Sequence, residues 1–448
     1  MIELYKHQKT ALALLRLHSS FALFMEQGTG KTFPVLFRLA ELAETGHVKK
    51  ALIVAPKAVC ASWDAKIRML SDSQQAALKS IQLDIVSYDK VWRSDRFMQE
   101  CYDAVIFDES HYIKTPSTKR TKACIHIAVG ARYRWILTGT PTSNGQLCNL
   151  WSQFTAIDPV ARMERGKTYI YPGCFGGVSY YKWLDQVAYL DQWHKPYKYK
   201  RVSEIQEVLG EMSYRISKAE CLDLPEKLPD EILHCEITGQ AKAHYKELMK
   251  SSAIAELDTL AGNPLTRALK LRQITSGFFN TDDGETVIYD CQKLDYLRSF
   301  LEDFEGKVVI FCEFSRSIDN VKVLLARLDM NPVVLDGRTS DKGVWQKFQD
   351  NPQVRAIICQ YQSGSAGIDL FAADTMIFFE PTLRSDLLEQ ARDRIHRPGQ
   401  TRACSYYFML TDGTIETAIY QALCNYQDFG EALFTQYLKE YRKGSKIG

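Results

Sequence analysis

Five consecutive residues, Gly28-Thr29-Gly30-Lys31-Thr32, carry the chemistry needed to hold a chain of phosphates. Glycines permit a tight backbone cradle whose N–H groups, with a helix N-terminus, face anionic oxygens. A lysine in Lys31's place neutralises β and γ phosphates, and a hydroxyl in Thr32's place is offered to Mg2+. Met25 stands where such a loop usually has its first glycine. A strand-to-helix turn using glycine only for its dihedrals would read the same. The segment VIFDESH adds a second element, an acidic pair, Asp108 and Glu109, closing an apolar run. Such a pair holds the magnesium shell, Asp108 directly and Glu109 through water, and polarises the attacking water. Alone it would read as a solvated strand end with Asp108 or Ser110 capping a helix. Together the two elements describe binding and hydrolysis of a nucleoside triphosphate.

A third set lies near the C-terminus, where Gln390, Arg394 and Arg397 recur at spacings of four and three. On a helix they share one face, able to reach one ligand or to pair with Asp386, Glu389 or Asp393.

These groups need a scaffold that brings distant segments to one edge. From Ser19 the chain alternates short apolar runs with helical segments, the pattern of a parallel sheet covered by helices. FALFM, ALIVAP, IQLDIVSY, DAVIFD and RWILTGTP, beginning at Phe21, Ala51, Ile81, Asp103 and Arg134, are strand candidates. A helix carrying Val35, Leu36, Leu39, Ala40 and Leu42 follows the first and ends by Gly46. After Asp158 the rhythm gives way to a stretch rich in Tyr, Gly and Lys, read as a partly helical insertion over about 158–229 that closes in LPEKLP. EILHCEI then reads as a strand returning to the first lobe, and residues 238–290 as a helical connector broken near Gly262–Pro264. KVVIFCEF, PVVLDG, RAIICQ and TMIFFEP give a second alternation over 291–448, closed by helices between Thr414 and Tyr441. The fold class is α/β, with a first lobe over 1–237.

Length and composition agree. A chain of 448 residues suits two domains, and 46% hydrophobic with 25% charged residues reads as globular throughout. A net charge of +2 restricts any nucleic-acid surface to a local patch. The twelve cysteines lack zinc-knuckle spacing, and Cys312 and Cys359, flanked by apolar residues, read as reduced core residues. Neither a leader nor an apolar span appears, so the expectation is a cytoplasmic protein without membrane association.

MEQGTGKT, LIVAPKAVCASW, IVSYDKV, DESHYIKTPSTKRTKA and LTGTPTSN resemble, in order and spacing, the motor motifs of superfamily-two helicases of the Swi/Snf (sucrose non-fermenting) branch. LRQITSGFF, KVVIFCEFSRSIDNV, QSGSAGIDLFAADTMIFFEPT and QARDRIHRPGQ extend the resemblance over nearly the whole chain. It implies two tandem RecA-like lobes using ATP and Mg2+. Gln8, in YKHQ, falls where the family reads adenine, and a carboxamide can pair with N6 and N7 of that base. Arg394 and Arg397 fall on arginine fingers that stabilise the transferring phosphoryl group. Gly367 and Asp369 match the motif lining the interlobe cleft, with Asp369 where Asn is usual. Thr138, Gly139 and Thr140 match the coupling segment, and His111 a relay between lobes.

The resemblance further implies a monomeric motor that moves on duplex or branched DNA by gripping phosphates, serving replication, recombination or repair through branch migration or fork reversal. Its phosphate contacts fall on Lys57, Trp63, Ser87, Tyr88, Lys114, Lys119 and Arg120, and on Ser315, Arg316, Ser363 and Gly364. HKPYKYKR, from His194 to Arg201, interleaves four basic residues with two tyrosines inside the insertion, suited to backbone contact, base stacking or a solvated loop. The compact chain resembles bacterial or phage relatives more than chromatin remodellers. A strand-separating DNA or RNA helicase, and a scaffold that binds ATP without cleaving it, are the alternative readings.

Overall fold

The computed structural model describes residues 2–142, 145–164, 166–257, 259–261, 263–341, 343–364 and 368–444. The chain forms two compact units, residues 1–223 and 224–448, each a RecA-like lobe built on a six-stranded parallel sheet.

In the first unit the strands are β1 (Ser20–Met25), β2 (Lys50–Ala55), β3 (Gln82–Ser87), β4 (Ala104–Asp108), β5 (Tyr133–Leu137) and β6 (Ser213–Ile216). Their order across the sheet is β6-β1-β5-β4-β2-β3. Successive side chains of a strand point to opposite faces, so near-continuous apolar runs feed two cores at once. Leu23, Ile53, Ile106 and Trp135 join the cluster under the helices Lys6–Leu17 and Thr32–Glu44. Phe24, Val54, Phe107 and Ile136 join the opposite cluster, which also takes in Trp151, Phe154, Phe175 and Trp183.

In the second unit the strands are β7 (Glu231–Cys235), β8 (Val308–Cys312), β9 (Val333–Leu335), β10 (Ala356–Gln360), β11 (Thr375–Phe378) and β12 (Ser405–Thr411), ordered β7-β12-β11-β8-β10-β9. Alternation divides them as before. Ile310 and Ile358 face one cluster, Phe311 and Cys359 the other. Cys312 and Cys359 are fully buried core residues with free thiols.

Three boundaries differ from the sequence reading. EILHCEI does not return to the first lobe, because Glu231–Cys235 pairs in parallel with Ser405–Thr411 at the edge of the second sheet. The chain is tied to that unit even earlier, through Leu228 N donating to Cys404 O at 2.9 Å and Cys404 N to Glu226 O at 2.9 Å. The division therefore falls at Asp223 rather than 237. Residues 238–290 are no free connector. Ala241, Tyr245, Leu248, Leu271 and Ile274, from the helices Gly239–Ser251 and Pro264–Thr275, are buried in the second unit's core. The insertion, finally, ends before Ser213, since Ser213–Ile216 lies parallel to β1 and completes the first sheet. It comprises two antiparallel hairpins, Pro159–Glu164 with Lys167–Pro172 and Ala188–Leu190 with Pro196–Tyr199, and the helices Tyr180–Val187 and Val202–Met212. SYRI is too short and too polar to stand out as a strand by period.

Candidate functional site

In a parallel α/β sheet, ligand-binding loops gather beyond the carboxyl ends of the strands. Three signatures of the first unit leave three neighbouring strand ends in this way. The phosphate loop follows β1, the Thr-Gly-Thr turn follows β5, and Asp108 ends β4, with β5 lying between the other two. Gly28 and Gly30 have φ of 83° and 75°, in the left-handed region that glycine adopts freely. Gly30 also approaches Gln8 so closely that a Cβ there would lie 2.2 Å from Nε2. The helix Thr32–Glu44 opens directly behind Lys31, and its first-turn N–H groups have no intrahelical acceptor.

Lys31, 8% exposed, donates from Nζ to Glu109 Oε1 at 3.2 Å. Glu109 takes a left-handed backbone, φ 50°, unusual for a non-glycine residue, and this turns its side chain back over the sheet edge. Its other oxygen accepts from Thr138 Oγ1 at 3.2 Å, with His111 Nδ1 at 3.4 Å. His111 Nδ1 also lies 3.1 Å from Thr138 Oγ1. Gly139 keeps this turn against the phosphate loop, since a Cβ on it would lie 3.1 Å from Gln27 N. Thr140 N caps Thr138 Oγ1 at 3.1 Å.

The two neighbouring carboxyls are driven apart. Burial pushes Asp108 above the ordinary carboxylate value, reinforced by the charge of Glu109. For Glu109 burial acts in the same direction but is outweighed by the Lys31 charge and the hydrogen bond with His111, which hold it well below the usual range. Asp108 is steadied by Trp63 Nε1 donating to Oδ2 at 2.8 Å and by Glu109 N donating to Oδ1 at 3.0 Å.

Those groups fit a magnesium nucleotide on three counts. The glycine cradle admits no side chain, and His111 Nε2 is buried with no hydrogen-bond partner among the described residues. A cation already serves both residues expected to hold the metal, because Lys66 Nζ donates to Thr32 Oγ1 at 3.0 Å and its charge favours ionised Asp108. Lys66 and the Thr138 hydroxyl's bond to Glu109 were not singled out in the sequence. Lys66 sits on an amphipathic helix, Lys57–Arg68, where nothing in its spacing separates it from a solvated lysine.

The remaining expected residues are distributed as follows. Gln8 is buried at the phosphate loop, its Nε2 donating to Thr29 O at 3.0 Å and its Oε1 accepting from Tyr5 N at 3.0 Å. His7 reinforces it, with Nε2 2.8 Å from the same Thr29 carbonyl. In the second unit the helix carrying Gln390 ends at Arg392, so Arg394 and Arg397 do not share its face as expected. Pro398 disfavours helical backbone at Arg397 and cannot itself continue a helix. The turns beyond nevertheless bring both guanidinium groups together, donating to Ile368 O at 3.2 Å from Arg394 and 2.8 Å from Arg397. Arg397 also pairs with Asp369. Gly367 lies outside the described residues.

Two of the expected phosphate contacts are corrected outright. Trp63 is fully buried against Asp108, and Tyr88 is buried with its hydroxyl donating to Asp108 O at 2.8 Å. Both belong to the support of the acidic pair, a role their apolar rings suit better than a solvated groove. Gly364 is also buried, packed against Cys359 and Phe311. Lys57, Lys119, Ser315 and Arg316 are exposed, and Ser87, Lys114, Arg120 and Ser363 half-buried. Lys57, Ser87, Ser315 and Ser363 each stand at or just past the carboxyl end of a parallel strand, the same edge of their sheet that bears the signatures. Arg120 is engaged by Asp89 at 2.9 Å and stacks over Tyr112.

A phosphate loop and an acidic pair at one sheet edge, with an arginine pair on a second parallel-sheet lobe, define the class of two-lobed superfamily-two helicases. Residues 7–277 match the SNF2-related domain and residues 292–399 the helicase conserved C-terminal domain. The chain belongs to the SNF2-related family. It is 24% identical over 432 residues to an uncharacterized ATP-dependent helicase of Mycoplasma pneumoniae, covering 90% of this chain and 39% of that protein. It is 24% identical over 439 residues to a probable ATP-dependent DNA helicase of Arabidopsis thaliana, covering 88% and 39%. A solved structure, the Sulfolobus solfataricus SWI2/SNF2 ATPase core in complex with dsDNA, aligns over 97% of this chain and 92% of its own at 23% identity, with a TM-score of 0.43. The chain thus spans about two fifths of the curated relatives it matches. No helix among the described residues is long and apolar enough to cross a membrane.

Proposed function

We propose that this chain is an ATP-dependent motor that hydrolyses ATP and translocates on duplex or branched DNA, in remodelling, branch migration or fork reversal. The observation that carries the reading is the closed network joining Lys31, Glu109, Thr138 and His111 beside Asp108. It is what a phosphate-releasing site requires. Lys31 and the loop N–H groups bind the β and γ phosphates, and Gln8 reads adenine after exchanging its backbone partners. Thr32 and Asp108 would hold Mg2+, which when bound neutralises phosphate charge. Glu109, ionised at neutral pH, orients the attacking water. Arg394 and Arg397 stabilise the transferring phosphoryl group, with Asp369 paired to Arg397 and Gly367 two residues before Asp369 in sequence. Lys57, Ser87, Lys114, Lys119, Ser315 and Ser363 grip the DNA backbone without reading bases, and Gly364 serves as packing for that loop.

The family and the DNA helicase among its relatives support a DNA track. The test is phosphate release from the full chain with blunt duplex, forked DNA, single-stranded DNA or RNA at stated salt, because backbone contacts make affinity steeply salt-dependent. Duplex or forked DNA should raise turnover at least tenfold. Stimulation by RNA above DNA, or by nothing, would overturn the reading.

A further inference from the structure

One element of the first unit is left unused by the nucleotide site and by the backbone contacts. The hairpin Ala188–Leu190 with Pro196–Tyr199 stands on a fixed base, since the preceding helix Tyr180–Val187 buries Trp183, Leu184 and Val187. Its far strand is clamped to the body. Tyr199 donates its hydroxyl hydrogen to Gln146 Oε1 at 2.9 Å and accepts from Cys148 N at 3.2 Å. Gln153, whose amide donates to Pro141 O at 2.7 Å and Asn149 O at 2.8 Å, holds the same loop and accepts from Ser110 of the acidic signature at 2.7 Å.

Beyond the clamp the hairpin presents rings to solvent. Trp193 is 71% exposed, Tyr197 69% and Tyr189 47%. The Tyr189 and Tyr197 rings lie 6.4 Å apart, tilted by 38°, and Lys200 Nζ stands 5.0 Å from the Tyr189 ring centre. Lys195 and Lys198 are exposed beside them. Asp191, the acid in this stretch, is spent on the turn, accepting from Trp193 N at 2.9 Å and Lys195 N at 2.8 Å. Single exposed aromatics are ordinary on a protein surface. Three on one anchored hairpin, among three lysines, in a chain of net charge only +2, form a local patch of defined chemistry.

Aromatic faces spaced with ammonium groups suit a ligand that alternates flat π surfaces with negative charge, which is single-stranded nucleic acid. Paired bases keep their faces stacked inside a duplex, so only unpaired nucleotides can use the rings. We propose that this hairpin is a binding site for unpaired DNA at a fork or junction, with bases stacking on Trp193, Tyr197 and Tyr189 and phosphates meeting Lys195, Lys198 and Lys200. The inference rests on DNA being the track and adds a second contact, to the unpaired strand.

The test measures binding of the full chain to three labelled probes by fluorescence anisotropy: a blunt duplex, the same duplex with a single-stranded DNA arm, and one with an RNA arm. The DNA arm should tighten binding, and Trp193→Ala or Tyr197→Ala should each remove about tenfold of that gain, with Trp193→Phe restoring it. Blunt-duplex affinity and duplex-stimulated turnover should stay within twofold in all three variants, which also shows that they are folded. Equal binding of blunt and armed probes by the unsubstituted chain, or equal weakening of both by the variants, overturns the inference alone. Preference for the RNA arm overturns its assignment to DNA. A chain whose turnover ignores DNA, but which binds the armed probe through Trp193, breaks the motor reading and leaves the hairpin standing.

Discussion

Lys31 in the first unit and Arg394 with Arg397 in the second are the cations proposed to act on phosphate, and each unit holds its own differently. Lys31 is paired to a carboxylate that is itself fixed by Thr138 and His111, all buried at a sheet edge. The arginines lie beyond the end of their helix and converge on one backbone carbonyl, that of Ile368, with Asp369 as a partner whose side chain is 41% exposed. A buried network keeps its geometry whether or not a ligand is bound, and Arg394, 7% exposed and donating also to Gln390 O at 3.0 Å, is held much as Lys31 is, whereas Arg397 is less buried and pairs with a solvated acid that it exchanges at little cost. The difference separates a buried, closed network around Lys31 from Arg397, whose carboxylate partner is solvated.

Substitutions can break that contrast. Arg394→Ala and Arg397→Ala should each lower kcat about 1,000-fold while nucleotide affinity changes little, read by phosphate release beside equilibrium nucleotide binding. Loss of affinity with kcat intact would place them in ground-state binding instead. Lys31→Ala should weaken nucleotide binding and cut turnover on the order of 100-fold. Trp63→Phe should lower stability by about 1–3 kcal/mol, because it leaves a buried oxygen of Asp108 without its donor, and chemical denaturation would show it. Asp369→Asn, acting on a half-exposed pair, should change stability by less than about 1 kcal/mol.

The smallest effects concern pH, in protein free of nucleotide and metal. Asp108, raised above its ordinary 3.8 by burial, costs stability once ionised, a cost that appears as pH rises through its folded value. Glu109, lowered from its ordinary 4.5, adds stability that is present above that value and is lost as pH falls through its folded one. Asp108→Asn should therefore lose less stability than the unsubstituted chain between acid and neutral pH, and Glu109→Gln should gain less. Parallel slopes for the two variants would contradict the opposed shifts.

Much of this was legible from residue order. The phosphate loop, the acidic pair and ten of the twelve sheet strands of the two lobes follow from apolar runs, nine of them in the correct sheet. The strands that escaped are instructive. SYRI at Ser213 lies at a sheet edge and is too short for its period to register, and SYYFMLT at Ser405, between TMIFFEP and the C-terminal helices, was not singled out as a strand. EILHCEI was visible as a strand, but only pairing decides which of two similar sheets it completes. Within the site, the family resemblance singled out Trp63 and Tyr88 as phosphate contacts, and residue type alone does not tell a groove-lining ring from one buried under Asp108. Lys66 was illegible because a lysine on an exposed helix has no distinguishing pattern until the fold brings it to Thr32.

A motor of this kind must couple movement along DNA to ATP hydrolysis. The most direct measurement is displacement of a third strand from a triplex placed at one end of a duplex track. The full chain should release that strand with ATP, and neither the full chain with a non-hydrolysable analogue nor Lys31→Ala should do so. ATP turnover stimulated by the duplex without strand release, or release that survives Lys31→Ala, would contradict a motor that travels on duplex DNA.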